Sequence, residues 1–406
     1  MMTTAVLTEP VARPQPHTRA WWGVAAAVFA IAWGGNEFTP LLVLYKADGL
    51  NTTAVDLLLF YYVLGIVPAL LIDGPLSDRY GRRALLLPAP LIAALGSLLL
   101  ASGADLVPLL AAGRVLSGVA LGLAMAVGGS WLKELSPPGT GPRRSAMSLT
   151  GGFALGAGVA GVLAQWGPLP HTLPYLINVA LCLAATGWLI SAPETVPRQQ
   201  HPGRLRDDLK IPAAGHHRFV RVALPTALWL FACGATAYAV LPTLMAARLP
   251  GAPIAFSALV TVVTLGCGFA IQSVARRIDR PGTARAAVVG LTLVTGGMVL
   301  AAYAVGALTL WAALLTAVVL GSGYGIALVA GLQEVERLAR PDDLAGLTAV
   351  FYSVSYLGFG LPALLSFLHD ATGLGYPVMY LGLAALAGCC LAVVTRNYRD
   401  RTAAVS

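Results

Sequence analysis

At 406 residues, with 57% hydrophobic and only 11% charged side chains, the chain lies far below the roughly 25% charge of a water-soluble domain, which excludes a water-solvated globule. Its formal charge of +8 would suit a nucleic-acid binder, but the basic residues sit in short loops and no soluble module is present to use them. Nucleic acid is not expected as a partner; a lipid bilayer is.

In chain order, residues 1–20 are polar and proline-rich, without the apolar core of a removed leader. Twelve apolar segments follow, at 21–45, 54–73, 84–103, 107–132, 146–165, 173–192, 222–247, 254–275, 286–305, 308–332, 344–368 and 375–395. Each is near the ~20 residues that cross a ~30 Å hydrocarbon core as a helix. None alternates as a barrel strand does, and in hydrocarbon each backbone amide needs a partner within the structure. The predicted fold class is an all-α integral membrane protein with twelve transmembrane helices. The polar stretch 193–221 separates a six-span bundle, 21–192, from a second, 222–395, and 396–406 is a polar tail. With residues 1–20 in the cytoplasm, alternation places Lys46 and Arg248 outside and Arg114 within a span; every other Lys and Arg falls on the cytoplasmic side. This is the positive-inside pattern, so both termini and the 193–221 loop are expected in the cytoplasm and the protein in the inner cell membrane.

The turn between spans 2 and 3 reads Gly74-Pro75-Leu76-Ser77-Asp78-Arg79-Tyr80-Gly81-Arg82-Arg83. Gly74 is expected to let span 2 approach a neighbour, and Gly81 to permit a tight turn. Asp78 is placed to face the positive N-terminus of another helix. Arg79, Arg82 and Arg83 hold the turn at the surface, with Arg82 or Arg83 available to Glu134 at the exit of span 4. Span 4 carries Arg114-Val115-Leu116-Ser117-Gly118, and span 6 ends in Pro193-Glu194-Thr195. Together these resemble the major facilitator superfamily of transporters, and most closely its twelve-helix drug:proton antiporter branch. The resemblance covers Trp21 to Arg399. It implies two six-helix pseudo-repeats around a midplane site, alternating access, and an Asp78 contact with span 11 that latches the outward-facing state. The plainer alternative for the turn is a positive-inside loop with no gating role.

A shift of 198 positions lays Gln272–Arg280 over this turn, keeping basic charge but neither glycine nor the aspartate. Span 5 departs from the antiporter signature: Gly152, Gly156 and Gly161 keep a small face, while Ala157 and Ala160 replace a proline and a glycine. Gly156-x-Gly158-x-x-Gly161 mimics a dinucleotide fingerprint, but it lies mid-span without the strand that fingerprint needs.

Glu37 is the one acid deep inside a span, in the run Trp33-Gly34-Gly35-Asn36-Glu37-Phe38-Thr39-Pro40. Such residues normally face a cavity and act. Burial favours the neutral acid and a nearby cation favours the carboxylate, so a carboxyl held between the two can exchange a proton. Arg114 lies at a similar depth and is the expected partner, with Asn36 beside the pair. The structural alternatives are a hydrogen-bonding acid for Glu37 and a rigidifying clamp for Arg114. The shifted positions in the second half are Ala235 and Ala312. Trp33, Phe38, Ser117, Trp229, Tyr238, Tyr324 and Tyr356 are the candidate cavity-lining residues. The five cysteines fall within spans and the six histidines are scattered, so neither a metal site nor a cofactor is expected. No nucleophile constellation or ATP-binding loop points to an enzyme.

The expected function is proton-coupled export of a small amphiphilic or hydrophobic molecule by a monomer. The alternatives are a proton-coupled importer of a polar metabolite, such as a sugar or organic acid, and a non-transporting membrane receptor or assembly factor.

Overall fold

The computed structural model describes residues 19–104, 106–196, 211–340 and 343–399. Most of the 1–20 and 396–406 tails, and residues 197–210 of the 193–221 loop, lie outside these residues.

Among the described residues, twelve apolar helical rods follow in order. In the first half they are α1 (Trp21–Ala47), α2 (Thr52–Tyr80), α3 (Arg82–Ser102), α4 (Val107–Glu134), α5 (Gly141–Trp166) and α6 (Leu173–Leu189). In the second they are α7 (Phe219–Arg248), α8 (Pro253–Ile278), α9 (Arg285–Ala307), α10 (Leu310–Leu338), α11 (Leu344–Thr372) and α12 (Tyr376–Arg396). Among the described residues, eleven are long and apolar enough to cross a membrane, and α6 is a shorter apolar helix. The rods agree with the predicted segments in order and place, and several extend them into the polar loops.

Local chemistry sets many of the boundaries. Asn51 caps α2 by accepting from the Ala54 amide at 3.0 Å. Gly81 separates α2 from α3 with φ 96° and ψ 153°, a region essentially reserved for glycine. Three rods change pitch internally: α4 is π-helical over Ala124–Gly128, α7 over Ala235–Val240, and α11 tightens to 3-10 over Leu357–Gly360. Such irregularities often mark working parts of a helix, and Met125, Tyr238 and Phe359 within them all reach the cavity described below.

Small residues permit close helix contact where no hydrophobic drive separates lipid from protein. A Cβ on Gly118 would strike the Tyr62 carbonyl, bringing α4 onto α2; one on Gly325 would strike the Gly268 carbonyl, bringing α10 onto α8. The glycines of span 5 are packing residues too: Gly152 and Gly156 meet the α1 backbone at Phe29 and Trp33, while Gly161 meets Ala258 of α8.

The helices form two pseudo-repeated sets of six, but their registry drifts. α1 and α7 start at Trp21 and Phe219, whereas α3 and α9 start at Arg82 and Arg285. A fixed shift of 198 therefore misplaces the second copy of the turn. Asp78-Arg79-Tyr80-Gly81 is matched by Asp279-Arg280-Pro281-Gly282, and Gly282 also has positive φ, at 75°. Asp279 binds Arg337. The aspartate and turn glycine expected to be lost are present a few positions later. The same drift matches Arg114 with Ala317 rather than Ala312, both buried.

Candidate functional site

A cavity of about 760 Å³ lies between the two halves, within the range of small-molecule sites. Its inner end is aromatic. Phe231 stacks on Tyr356 at 4.2 Å and on Phe359 at 5.0 Å, and Tyr62 meets Tyr356 edge-on at 6.3 Å. Tyr238 and Tyr324 complete this wall. The mouth is polar and exposed, with Lys133, Arg276 and Glu336 at the ends of α4, α8 and α10. It therefore opens at the end that carries Arg82 and Arg83.

The opposite end is closed by contacts between α2 and α11. Asp56, buried near the start of α2, binds Lys46 at 2.7 Å and accepts from Ser366 of α11. Thr53 donates to Asp370 at 3.0 Å. Sequence reasoning missed this closure. Lys46 and Asp56 are ordinary loop-proximal charges until α11 is folded against them.

Of the residues expected at the cavity, Asn36, Tyr238, Tyr324 and Tyr356 line it. Asn36 donates to the Phe153 carbonyl at 3.3 Å and accepts from Thr39 at 2.8 Å. Trp33, Phe38, Ser117 and Trp229 lie elsewhere. Trp33 packs against Phe29, Ser117 donates to the Gly113 carbonyl, and Trp229 is buried in the core of the second half. Glu37 also lies behind the wall, fully buried. One residue on from Asn36 is ~100° around a helix, which turns Glu37 away from the cavity and towards α3 and α6.

The sealed site is a small polar network. Ser97 Oγ lies 3.1 Å from Glu37 Oε1 and 2.8 Å from Asn178 Oδ1. Asn178 Nδ2 donates to the Ala30 carbonyl at 2.7 Å. A hydroxyl has one proton, so two acceptors compete for Ser97. Among the described residues Glu37 Oε2 has no hydrogen-bond partner. The indole Nε1 of Trp33, one turn back, is likewise buried without a hydrogen-bond partner among the described residues.

Arg114 does not pair with Glu37 as expected. Its guanidinium stacks between Tyr62 at 4.3 Å and Phe38 at 4.7 Å. It donates to the Leu58 and Gly35 carbonyls, each at 3.4 Å. Ring faces and carbonyl oxygens supply the negative potential a desolvated cation needs, so no direct ion pair is required. Tyr62 joins the two compartments: its ring covers Arg114, and its edge reaches the cavity, where its hydroxyl has no partner among the described residues.

At the basic end, Arg82 binds Asp78 at 2.7 Å and Glu134 at 3.0 Å. Asp78 is thus engaged within its own turn and is about half exposed. Gly74 does not mediate a close approach, because a Cβ there would meet nothing within 4 Å. Arg79 is buried. In the sequence Glu194 stands out only as part of the Pro193-Glu194-Thr195 end of span 6. Its carboxylate accepts from the Arg82 and Arg83 amides, each at 2.9 Å, capping α3 at its positive end. It also occupies the space a Gly81 side chain would need. Glu134 additionally accepts from Thr195.

The sequence profile of the Major Facilitator Superfamily matches residues 23–363. Over 97 residues, 24% of the chain, the sequence is 32% identical to a glucose transporter, GlcP, of Staphylococcus epidermidis. Over 154 residues, 36% of the chain, it is 34% identical to a triacylglyceride transporter of Mycobacteroides abscessus. The chain spans only 22% and 29% of the lengths of those two relatives. A crystal structure of a peptide transporter, POT, superposes with a TM-score of 0.72 at 14% identity, covering 93% of this chain and 94% of that one. At that identity the likeness concerns the fold.

Proposed function

The chain belongs to the Major Facilitator Superfamily, and from that premise we propose that it is a secondary transporter working by alternating access. The cavity carries this reading: it lies between the pseudo-repeats, opens at one end and is closed at the other by Asp56, Ser366, Thr53 and Asp370. Taking the basic end as cytoplasmic, this is an inward-open state. Asp78 is then free of its expected latch on α11, which belongs to the outward-facing state.

The substrate class is small and amphiphilic, since the inner wall is aromatic and the mouth polar. Glu37 carries the coupling proton. With Glu37 ionised, Ser97 has one proton for two acceptors. Protonated, Glu37 donates to Ser97 Oγ, and Ser97 then donates to Asn178 Oδ1, so the network is satisfied in the neutral state. Export, with protons moving inwards, is the favoured direction. The stretch similar to a glucose transporter supports import of a polar metabolite as the second reading.

Counterflow and pH-jump assays in proteoliposomes test this. An imposed pH gradient should drive uphill movement of an amphiphilic substrate by the wild type. Glu37→Gln should abolish the uphill movement and retain downhill exchange. Uphill movement by Glu37→Gln would place the proton site elsewhere. Uptake of sugars in preference to amphiphiles would favour the importer.

A further inference from the structure

A second concavity, of about 600 Å³, opens on the outer surface at the same basic end. It lies where the first turns of α1 and α5 meet the last turn of α6. A Cβ on Gly23 would strike the Trp188 carbonyl, so α1 and α6 are locked together at its floor. Trp21 and Trp22 stack at 4.3 Å, and Trp22 and Trp188 are 58% and 64% exposed. Arg143 and Arg144 stand on the α5 side, and the lining contains no carboxylate. Arg144 lies 3.7 Å over the Trp21 ring and donates through Nη1 to Ser136 at 3.0 Å. This fixes the guanidinium plane and leaves the rest of its fork without an acceptor among the described residues. Arg143 is exposed. The groove shares no residue with the central cavity: α5 turns Ser145, Ala146 and Leu149 to the cavity and Arg143, Arg144 and Met147 to the groove.

We propose that this groove binds an anionic phospholipid, with its headgroup phosphate on Arg143 and Arg144 and an acyl chain along the tryptophans and Phe29. The chemistry is complementary at both ends. A fixed arginine fork suits phosphate oxygens, tryptophans favour the headgroup level of a bilayer, and basic pockets between transmembrane helices select anionic headgroups. Each cation near the surface is worth about a fivefold preference for an anionic lipid. The site is independent of the transport reading.

Tryptophan fluorescence in phosphatidylcholine nanodiscs containing a minority of brominated lipid tests the assignment. In the wild type, brominated phosphatidylglycerol should quench more than the same fraction of brominated phosphatidylcholine. Arg143→Gln/Arg144→Gln should lower the phosphatidylglycerol preference about tenfold or more, and Arg143→Lys/Arg144→Lys should keep most of it. If the double glutamine variant does not fold, Arg143→Gln alone should lower the preference severalfold, because that exposed side chain has no hydrogen bond or ion pair to lose among the described residues. Equal quenching by the two lipids in the wild type, or an undiminished preference in the glutamine variants, overturns the proposal. A preference that appears only after removal of residues 2–18 also overturns it, because the chain's own tail would then be the occupant. Displacement of the brominated lipid by millimolar inorganic phosphate would assign the site to a free anion instead. Lost transport with an intact lipid preference would overturn the proposed function and leave this site standing.

Discussion

The two six-helix halves share packing devices and differ in what they bury. In the first, α1 and α4 bury Glu37 and Arg114; at matched places the second buries Ala235 and Ala317. The second half instead supplies most of the aromatic wall: Phe231, Tyr238, Tyr324, Tyr352, Tyr356 and Phe359. Duplicated architecture has been divided by chemistry. The first half holds a buried acid and cation in mid-span behind a screen, and the second presents ring faces to the cavity. The second half buries its Arg218–Glu334 ion pair at the start of α7 and near the end of α10, so the cost of desolvating charge in mid-span falls on the first half, while Tyr62 carries contact across the boundary to Tyr356 and Phe359.

The sharpest way to break this comparison is to remove the buried cation. Arg114→Ala discards two ring-stacking contacts and two charged hydrogen bonds, costing about 2 kcal/mol or more. Thermal unfolding in detergent should show a large loss. The matched change Ala317→Ser should stay within about 1 kcal/mol, because its hydroxyl can bond back along the helix. Similar losses at both sites would end the division of labour.

The two turns give the next largest contrast. Gly81→Ala must leave a conformation reserved for glycine and also displace Glu194, so it should cost several times more than Gly282→Ala, which faces open space and bears only a left-handed penalty of ~1–2 kcal/mol. Expression yield and unfolding midpoint should rank them in that order; equal effects would show that the Glu194 cap contributes nothing.

Substrate affinity should separate the halves more gently. Phe231→Ala removes the ring stacked on Tyr356 and Phe359 and should weaken binding about tenfold, from lost area and ring pairing. Asn36→Ala, whose polar atoms are already satisfied, should change affinity about twofold. A larger effect at Asn36 would move recognition to the first half.

The smallest expected effect is at Asp78. A carboxylate at an exposed helix terminus is worth roughly 0.3–1 kcal/mol, so Asp78→Asn should shift the outward-facing population by up to about fivefold. Spin-label distances across the basic end measure that population, and an unchanged distribution would discard the latch.

The fold was legible because hydrocarbon leaves little choice: twelve apolar runs had to be helices, and loop charge marked their ends. The turn at Gly81 was legible because its residue types are dictated by local backbone geometry. The site was less so. Sequence depth placed Glu37 and Arg114 near one another, but depth carries no azimuth, and the ~100° step from Asn36 to Glu37 decides which residue meets the cavity. Registry drift hid Asp279 and Gly282, because one shift cannot align helices whose spacing changes along the chain. Asp56–Ser366 and the Glu194 cap join residues far apart in sequence, and no local pattern announces them.

The Glu194 cap also fixes an order of events during synthesis. The α3 amides at Arg82 and Arg83 wait for a carboxylate 112 and 111 residues downstream. At ~5–20 residues per second, that is roughly 6–22 s of elongation. In the second half Arg218 waits for Glu334, 116 residues on. Each half of the protein is thus held unlocked for seconds after its first helices enter the bilayer. A nascent chain arrested before residue 194 leaves the start of α3 uncapped beside its arginines.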